Sequence, residues 1–320
     1  MALAAGAIAL VAAIAIGIWV MTSSPDYDSA SVRKGDGYTD LVHAGRIQAV
    51  AFSADGRTLA AGVDLSGVRI WRLDDLEREP SLLNDGSGTD VAFHPTEPML
   101  ATVSGGVTLR RLDDLETLVT LPEDFGVNQG IDFSADGTLL AGAGVQTVGV
   151  WRMNGTVAEL LASRKGMENG RSSVALSPDG QWLATSSNKG IVDVWMTSAL
   201  DQEPRMLGNT SITTWDVAIS RDSRLIAAAT DAGLYVWESI DAEPRVLSQD
   251  ATWSVEFSPD GQTMAAGDRA GVVTLWRLSD MTPVSKLDLG YRADCLAFSP
   301  DGHTLAAGSS QGTVRLWTLR

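Results

Sequence analysis

Cysteine and histidine are scarce in this sequence, and their scarcity narrows the chemistry that the chain can support. Cys295 is the only cysteine among 320 residues, so no disulfide bond forms within the chain, and cysteine content does not identify the redox compartment. No histidine or other base lies near Cys295 in sequence, and we therefore expect a buried, inert thiol. The three histidines, His43, His94 and His303, are too scattered for a metal site of the usual local spacing and are expected to have surface or structural roles.

Basic residues are also few. Lysine and arginine together number 24 against 40 aspartates and glutamates, which gives a formal net charge of −16. This charge repels phosphate backbones, so we expect no sequence-independent nucleic-acid binding, and solubility or a basic partner explains the acidic balance better. Only 20% of the residues are charged while glycine occurs 32 times, a composition that suits a turn-rich β-protein better than a helical one.

The common catalytic and cofactor motifs are missing or misplaced. Gly308–Gly312 has the letters of a nucleophile elbow around Ser310, but the segment falls between two predicted strands, where a hairpin turn is the better interpretation. No glycine-rich phosphate loop with a following lysine occurs, and no aspartate-rich calcium loop. The hexapeptide RLDDLE recurs at Arg72–Glu77 and Arg111–Glu116, as expected for solvated turns rather than for an acid–base pair. We therefore predict no catalytic, cofactor or metal site and no enzymatic activity.

One long hydrophobic run lies at the N-terminus. Leu3–Met21 contains no charged residue and exceeds the ~18 apolar residues needed to span a bilayer, and Trp19 suits the membrane interface. We assign residues 1–21 to a transmembrane helix or signal anchor and residues 22–36 to a flexible stalk rich in serine, aspartate and glycine. A cleaved secretory signal is the main alternative, although its apolar run is usually ~7–15 residues long and follows a basic residue.

The orientation of this predicted membrane helix is weakly determined. Arg33 and Lys34 follow the run, and the positive-inside rule would place them in the cytoplasm. A large domain that follows translocates largely regardless of so small a bias, and we slightly favour the extracytoplasmic side. The abrupt, uncharged N-terminus also suggests that the chain is part of a longer protein.

An internal repeat occupies the rest of the chain. Each unit contains an apolar residue followed by serine or its equivalent, and these seven anchors are Phe52, Phe93, Phe133, Leu176, Ile219, Phe257 and Phe298. Successive anchors lie 41, 40, 43, 43, 38 and 41 residues apart, which matches the ~40–45 residues of a four-stranded propeller blade. Each unit continues with a turn that usually reads ADG or PDG and with two further strands. In three units the fourth strand begins at a proline: Pro80, Pro204 or Pro244. An outermost strand tolerates proline because one of its sides is unpaired.

The two ends of the chain complete one another. The sequence stops at Arg320, directly after the third strand of the seventh unit, and a matching fourth strand is present at the other end, in Gly37–Gly45. We therefore predict that the first and last segments share one blade and close a ring. The predicted fold is an all-β, seven-bladed β-propeller over residues 37–320, closed by an N-terminal strand and preceded by one transmembrane helix.

The repeats resemble those of the WD-repeat β-propellers, of the divergent bacterial type. The third-strand tryptophan of that family is present at Trp71, Trp151, Trp195, Trp237, Trp276 and Trp317. The sequence also departs from the family: Arg110 replaces this tryptophan in the second unit, no such tryptophan is followed by Asp, and His43 is the only echo of the Gly-His pair. Of the turn aspartates that usually bond that histidine, only Asp231 is present in this sequence. Apolar packing between blades must therefore hold the ring.

The same resemblance directs attention to one rim of the ring, because partners of WD-repeat propellers often dock where the first strands begin. The residues four before each anchor are Gln48, Thr89, Gln129, Ser172, Trp215, Trp253 and Asp294. The residues six before it include Arg46, Thr213 and Arg292. Since tryptophan and arginine dominate interface energetics, we predict a protein-binding site made of Trp215, Trp253, Arg292, Asp294, Arg46 and Gln48. The alternative is that the two tryptophans only fill space between blades.

The resemblance implies a membrane-anchored WD-repeat propeller that acts as a protein-interaction platform or sensor domain. Its expected partners are a protein or peptide on one propeller face and the membrane through the N-terminal helix, with no nucleic acid. Bacterial WD-repeat regions often form the C-terminal part of longer chains that carry a kinase or a signalling NTPase. The alternative function is a propeller enzyme of the lactonase or hydrolase type with its site at the mouth of the central channel, and a structural spacer is the third.

Overall fold

The computed structural model describes residues 31–84, 86–121, 126, 129–165, 173–186, 192–208 and 212–319. These residues form β-strands joined by turns, and within them no helix is long and apolar enough to cross a membrane. The predicted membrane helix at residues 1–21 lies outside the described residues, as does the first part of the predicted stalk.

Seven antiparallel sheets form the blades of a ring, and the first strand of each repeat lies next to the central channel. Blade 1 consists of β3 (Ile47–Phe52), β4 (Thr58–Val63), β5 (Gly67–Arg72) and β6 (Ser81–Leu83). Blade 2 consists of β7 (Asp90–Phe93), β8 (Met99–Val103), β9 (Val107–Arg111) and β10 (Thr117–Thr120). Blade 3 consists of β11 (Gly130–Phe133), β12 (Leu139–Gly144), β13 (Thr147–Asn154) and β14 (Val157–Lys165).

The next three blades repeat this order. Blade 4 consists of β15 (Val174–Leu176), β16 (Trp182–Thr185), β17 (Val192–Met196) and β18 (Arg205–Leu207). Blade 5 consists of β19 (Thr214–Ile219), β20 (Ile226–Thr230), β21 (Gly233–Trp237) and β22 (Arg245–Ser248). Blade 6 consists of β23 (Thr252–Phe257), β24 (Thr263–Asp268), β25 (Val272–Arg277) and β26 (Thr282–Asp288).

Blade 7 closes the ring with strands from both ends of the chain. Its inner strands are β27 (Ala293–Phe298), β28 (Thr304–Ser309) and β29 (Thr313–Thr318), and its outer strands are β2 (Tyr38–Val42) and β1 (Ser31–Gly35). β2 pairs with β29 over its whole length, from Tyr38 opposite Trp317 to Val42 opposite Thr313. The predicted closure is therefore confirmed. The fifth strand, β1, falls in the segment assigned to the stalk and was not predicted.

A side-chain contact reinforces this closure. The guanidinium of Arg315 on β29 donates two hydrogen bonds to the Asp40 carboxylate on β2, Nε to Oδ1 and Nη2 to Oδ2, each 2.6 Å long. The same guanidinium lies 3.9 Å from the ring centre of Tyr38, and its Nη1 donates to the carbonyl of Asp288 in blade 6. Asp40 raises the pKa of Arg315 through this bonding. Arg315 therefore links the two chain ends within blade 7 and also links blade 7 to blade 6.

The turn after each first strand has a fixed hydrogen-bond pattern. In blade 1 the Ser53 hydroxyl donates to the Asp55 carboxylate at 2.6 Å and accepts the backbone N–H of Thr58 at 2.9 Å, while Gly56 takes a positive φ of 68°. Bonds of 2.5–2.7 Å join the same two positions in five further blades: Ser134–Asp136, Ser177–Asp179, Ser220–Asp222, Ser258–Asp260 and Ser299–Asp301. The recurring serine and aspartate are therefore turn residues.

In blade 2 a histidine takes the place of this serine. Nδ1 of His94 accepts the backbone N–H of Glu97 at 3.0 Å, so the ring proton lies on Nε2, which is 3.0 Å from the carbonyl oxygen of Gly137 in blade 3. The ring is buried and meets Phe133 edge-on, with 5.0 Å between centroids. His94 therefore has a structural role and ties two blades together.

Apolar seams between neighbouring blades form the core. Six of the seven seams contain a buried third-strand tryptophan that packs against the preceding blade: Trp71, Trp151, Trp195, Trp237, Trp276 and Trp317. The seam between blades 1 and 2 has none, since Arg110 stands there and its Nη1 donates to Leu115 O at 3.2 Å and to Thr117 Oγ1 at 2.9 Å. Each aromatic side chain removes a large apolar area from water, so apolar packing holds the ring as predicted.

We expect Asp40→Asn to lower the free energy of unfolding by about 2 kcal/mol, because the half-buried Arg315 loses its charged partner. The midpoint of urea denaturation measures this change. Glu238→Gln is the control, since the Arg245–Glu238 pair spans 3.7 Å at the exposed surface and contributes about 0–1 kcal/mol. Equal effects of the two substitutions would contradict a special role for the closing pair.

Candidate interaction site at the channel mouth

The inner strands of all seven blades surround a central cavity of about 570 Å³. Five of the six predicted site residues line this cavity: Arg46, Gln48, Trp215, Trp253 and Asp294. The sixth, Arg292, contacts two of them. These residues stand four or six positions before the anchors, where the first strands begin. They therefore meet at one mouth of the channel, and the recurring turns lie at the other.

Two tryptophans from adjacent blades stack at this mouth. The rings of Trp215 and Trp253 lie 4.0 Å apart between centroids with an interplanar angle of 16°. Nε1 of Trp215 donates to the Asp231 carboxylate at 2.7 Å, which fixes the orientation of that ring. Asp231 thus bonds a tryptophan here, where the family pattern has it bond a histidine. The other face of the pair is covered by the Arg292 guanidinium, 4.0 Å from the ring centre of Trp253.

A buried carboxylate connects this stack to blade 1. The Asp294 side chain is 0% exposed, and it accepts hydrogen bonds from Arg292 Nε at 2.5 Å and from Arg46 Nε at 2.7 Å. Two guanidinium groups share one carboxylate, so the group carries a net positive charge. The Arg46 side chain is 41% exposed, and its terminal amino groups have no further hydrogen-bond partner among the described residues.

The five side chains form one continuous surface that we call the mouth ladder: Trp215, Trp253, Arg292, Asp294 and Arg46. The ladder crosses blades 5, 6, 7 and 1 and covers about half of the mouth. Gln48 lies in the cavity wall but outside the ladder, on the half where Thr89 and Gln129 provide smaller polar side chains. The tryptophans are half-buried and stack on each other rather than sitting in the apolar seams.

Four acidic residues deeper in the channel were not predicted as a group. Three of them accept a backbone N–H from a first strand of a following blade: Ile131 N to Asp90 Oδ2 at 2.8 Å, Leu176 N to Asp132 Oδ2 at 2.7 Å, and Val255 N to Asp216 Oδ2 at 3.0 Å. These carboxylates satisfy backbone donors at the inner edges of the blades. The fourth acid, Glu256, lines the cavity with them.

The channel changes the acidity of these groups. Loss of hydration raises the pKa of Asp90 and of Asp132 to about 7, although each also accepts backbone hydrogen bonds that oppose the shift. The pKa of Asp216 is raised by the same desolvation. Desolvation and the neighbouring Asp216 and Asp132 charges hold the pKa of Glu256 well above its ordinary value. In the sequence, each acid stands in a first strand of mostly apolar or small residues, a pattern that does not distinguish a channel acid from a solvated one.

The remaining candidates for chemistry have ordinary positions. Cys295 was expected to be buried, but it is partly exposed and lines the channel wall, where desolvation raises the pKa of its thiol well above the usual value. Ser310 lies in the hairpin turn between β28 and β29, so the predicted turn is confirmed. Within the described part of the chain, no group of three or more histidine, cysteine or acidic side chains is placed to hold a metal ion.

Comparison with protein-family models identifies the repeats. The model described as "WD domain, G-beta repeat" matches residues 38–72, 159–195, 245–277 and 290–318. The first match runs from β2 in blade 7 to the end of β5 in blade 1. Three of the four matches therefore begin in the outer strand of one blade and end in the third strand of the next, whereas the match at 290–318 covers only the three inner strands of blade 7.

Curated relatives match parts of the chain at low identity. The chain is 28% identical over 163 residues to target of rapamycin complex subunit wat1 of Schizosaccharomyces pombe, covering 48% of this chain and 52% of that protein. It is 27% identical over 223 residues to human transducin beta-like protein 2, covering 62% of this chain and 49% of that protein. It is 25% identical over 157 residues to small ribosomal subunit protein RACK1y of Oryza sativa subsp. japonica, covering 44% of each. The chain spans about half the length of these relatives.

A closed ring of seven antiparallel blades with tryptophan-filled seams defines a repeat β-propeller. The repeat matches and the relatives specify which kind. WD repeats are found in four places in this chain, within a propeller of seven blades.

We expect the unfolding midpoint in urea to fall as the pH is raised from about 5 to 8. Asp90 and Asp132 have a folded-state pKa of about 7, above the value of about 4 for an unfolded carboxyl, so the folded chain binds more protons in this window and loses stability as they dissociate. Asp132→Asn should flatten the dependence, whereas Asp301→Asn, in an exposed turn, should not. A midpoint that rises over this range would contradict the assignment.

Proposed function

We propose that this chain is a non-enzymatic protein-interaction platform that binds a protein or peptide partner at the mouth ladder. The observation that carries the proposal is the stacked Trp215–Trp253–Arg292 group at the open end of the channel, extended by Arg46. Tryptophan and arginine provide large apolar area together with polar donors, and these residue types dominate binding energy at protein interfaces.

The geometry of the ladder supports binding in two ways. The side chains are held by one another and by Asp231 and Asp294, so little conformational entropy is lost when a partner binds. Arg46 lines a cavity of about 570 Å³, which has the size of a site for an inserted side chain or a short peptide segment.

The relatives support the same function. Two of them are named as components of multi-protein assemblies, one as a subunit of the target of rapamycin complex and one as a protein of the small ribosomal subunit. The enzymatic alternative has less support, because Asp90, Asp132 and Asp216 are engaged by backbone N–H groups and thereby fix neighbouring blades. We extend the role of a binding platform from the named assembly proteins to this chain.

We expect Trp253→Ala to weaken partner binding by roughly thirtyfold or more, since truncation of a central aromatic side chain at an interface costs about 2 kcal/mol or more. The experiment uses proximity labelling with the full chain in membranes to identify the partner, followed by affinity measurement with each variant. Trp182→Ala is the control, because Trp182 is also half-buried but lies beside a turn at the opposite end of the ring. Binding that survives in a strongly destabilised Trp253→Ala chain would support the packing alternative.

We propose in addition that residues 3–21 hold the propeller at a membrane, because this run is uncharged and long enough to span the bilayer. The full chain should then resist extraction by alkaline carbonate, and deletion of residues 1–21 should release it. Protease added to intact cells should digest the propeller if it lies on the extracytoplasmic side. A mature chain whose mass lacks the apolar run would show a cleaved signal and overturn the anchor.

A further inference from the structure

The face of the ring that carries the mouth ladder also exposes two large side chains outside the ladder. Tyr291 stands directly before Arg292, in the segment between β26 and β27, and is 53% exposed. Leu65 lies in the turn between β4 and β5 and is 85% exposed. Going round the ring, Tyr291 precedes the bonded group of Arg292, Asp294 and Arg46, and Leu65 follows it.

The turn that carries Leu65 is held in a conformation that leucine rarely adopts. Leu65 has a φ of 59°, whereas in the corresponding turns of blades 6 and 7 the residues with positive φ are Gly271 and Gly312. The turn is fixed to the ladder, because the backbone N–H of Asp64 donates to the carbonyl of Arg46 at 2.9 Å. A strained and exposed leucine contributes little to folding, so its side chain is better explained by a role at the surface.

Tyr291 is positioned by close backbone packing against blade 6. A Cβ atom on Gly271 would lie 2.5–2.7 Å from the backbone atoms of Tyr291, so glycine is needed for this approach. The backbone N–H of Leu289 also donates to the carbonyl of Gly271 at 2.8 Å. The tyrosine is therefore presented on a fixed segment, and binding costs less ordering there than on a loose loop. Tyrosine is also enriched at protein interfaces.

The charged group between these two residues has one guanidinium in excess. Arg292 donates to the buried Asp294 carboxylate through Nε at 2.5 Å and Nη2 at 3.2 Å, and Arg46 donates to it through Nε at 2.7 Å. The two terminal amino groups of Arg46 have no partner within the described part of the chain. Two donors side by side match the two oxygens of one carboxylate. A carboxylate from a partner would therefore continue the alternation of charge along this group.

We propose that the partner presents an internal segment in which one aspartate or glutamate binds Arg46, while apolar side chains on either side of that acid contact Leu65 and Tyr291. This inference rests on the proposed function and adds the chemistry of the partner. Because Leu65 and Tyr291 lie on both sides of Arg46, the bound segment continues past the carboxylate in both directions, which favours an acidic side chain over a chain terminus.

The charge of the chain limits the partner further. A phosphate group carries about two negative charges, which is more than one excess guanidinium balances. The formal net charge of −16 also repels a segment with a run of acids. A single carboxylate among apolar residues therefore fits this surface better than a phosphorylated residue or an acidic tract.

A library of random linear peptides displayed on phage, panned against the full chain in detergent micelles, tests this chemistry. We expect the enriched peptides to contain one acidic residue between apolar residues. Enriched peptides without a preference for an acid, or with a basic residue in its place, would overturn this inference and leave the proposed function standing. A complete absence of enriched peptides would overturn both.

The most enriched peptide, synthesised with its acid or with the matching amide, assigns the carboxylate to its partner. The amide should bind the parent chain roughly tenfold more weakly, because a charge-assisted contact is lost, and this difference should vanish on an Arg46→Gln chain. Arg57→Gln is the control, since Arg57 lies in a recurring turn at the opposite mouth, and it should keep the difference. A difference that persists on Arg46→Gln overturns the proposal, as does tighter binding of a phosphoserine peptide. Trp253→Ala should weaken both peptides alike, which tests the ladder separately.

Leu65→Asn tests the apolar contact, because asparagine adopts the left-handed conformation more readily than leucine. Peptide binding should weaken roughly fivefold as buried apolar area is lost, while the unfolding midpoint in urea stays level or rises. Val145→Asn is the matched control, since Val145 is 51% exposed in the corresponding turn of blade 3, two blades away. Equal losses of binding in the two variants, or unchanged binding with Leu65→Asn, would overturn the contact with Leu65.

Discussion

Every four-stranded blade has two rows of unpaired backbone hydrogen-bonding groups, and the stability of this ring depends on how those rows are satisfied. At the inner edge, Asp90, Asp132 and Asp216 accept N–H groups from a neighbouring first strand, so the channel wall is connected by side chains rather than by a continuous ladder. At the junction of the chain ends, β2 completes blade 7. At the outer edge, short strands and prolines limit pairing in most blades. At the channel, at the junction of the chain ends and at the outer wall, the structure therefore deals in three different ways with backbone groups that lack a strand partner.

The residues that repeat from blade to blade differ from those of the proposed binding site. The turn serines and aspartates and the seam tryptophans recur because each blade must solve the same folding problem. The mouth ladder arises where the copies disagree, since its stacked rings, two guanidinium groups and buried carboxylate belong to blades 5, 6, 7 and 1. A scaffold made of near-identical units thus becomes asymmetric at one rim, and under the proposed function a partner would recognise that asymmetry.

The sequence was sufficient to predict the ring, its closure and the residues that meet at the mouth, because these follow from a period of about 40 residues and from strand alternation. It did not reveal that Asp294 bridges Arg292 and Arg46, or that Trp215 and Trp253 stack, since both contacts depend on how neighbouring blades face each other. The channel acids were missed because one charged residue in a strand looks the same whether it faces solvent or a backbone donor of another blade. β1 was missed because Ser31–Gly35 has no apolar alternation and is held by backbone bonds alone.

The closing ion pair also determines when the ring is completed. Asp40 and Arg315 are 275 residues apart, so β2 leaves the ribosome long before its partner β29. The other six blades assemble from strands that are close in sequence and do so as they emerge. Until then β2 can pair only with β1, and the facing sides of the first and last blades are not yet covered. The contact that closes the ring therefore forms only after the six other blades have been synthesised.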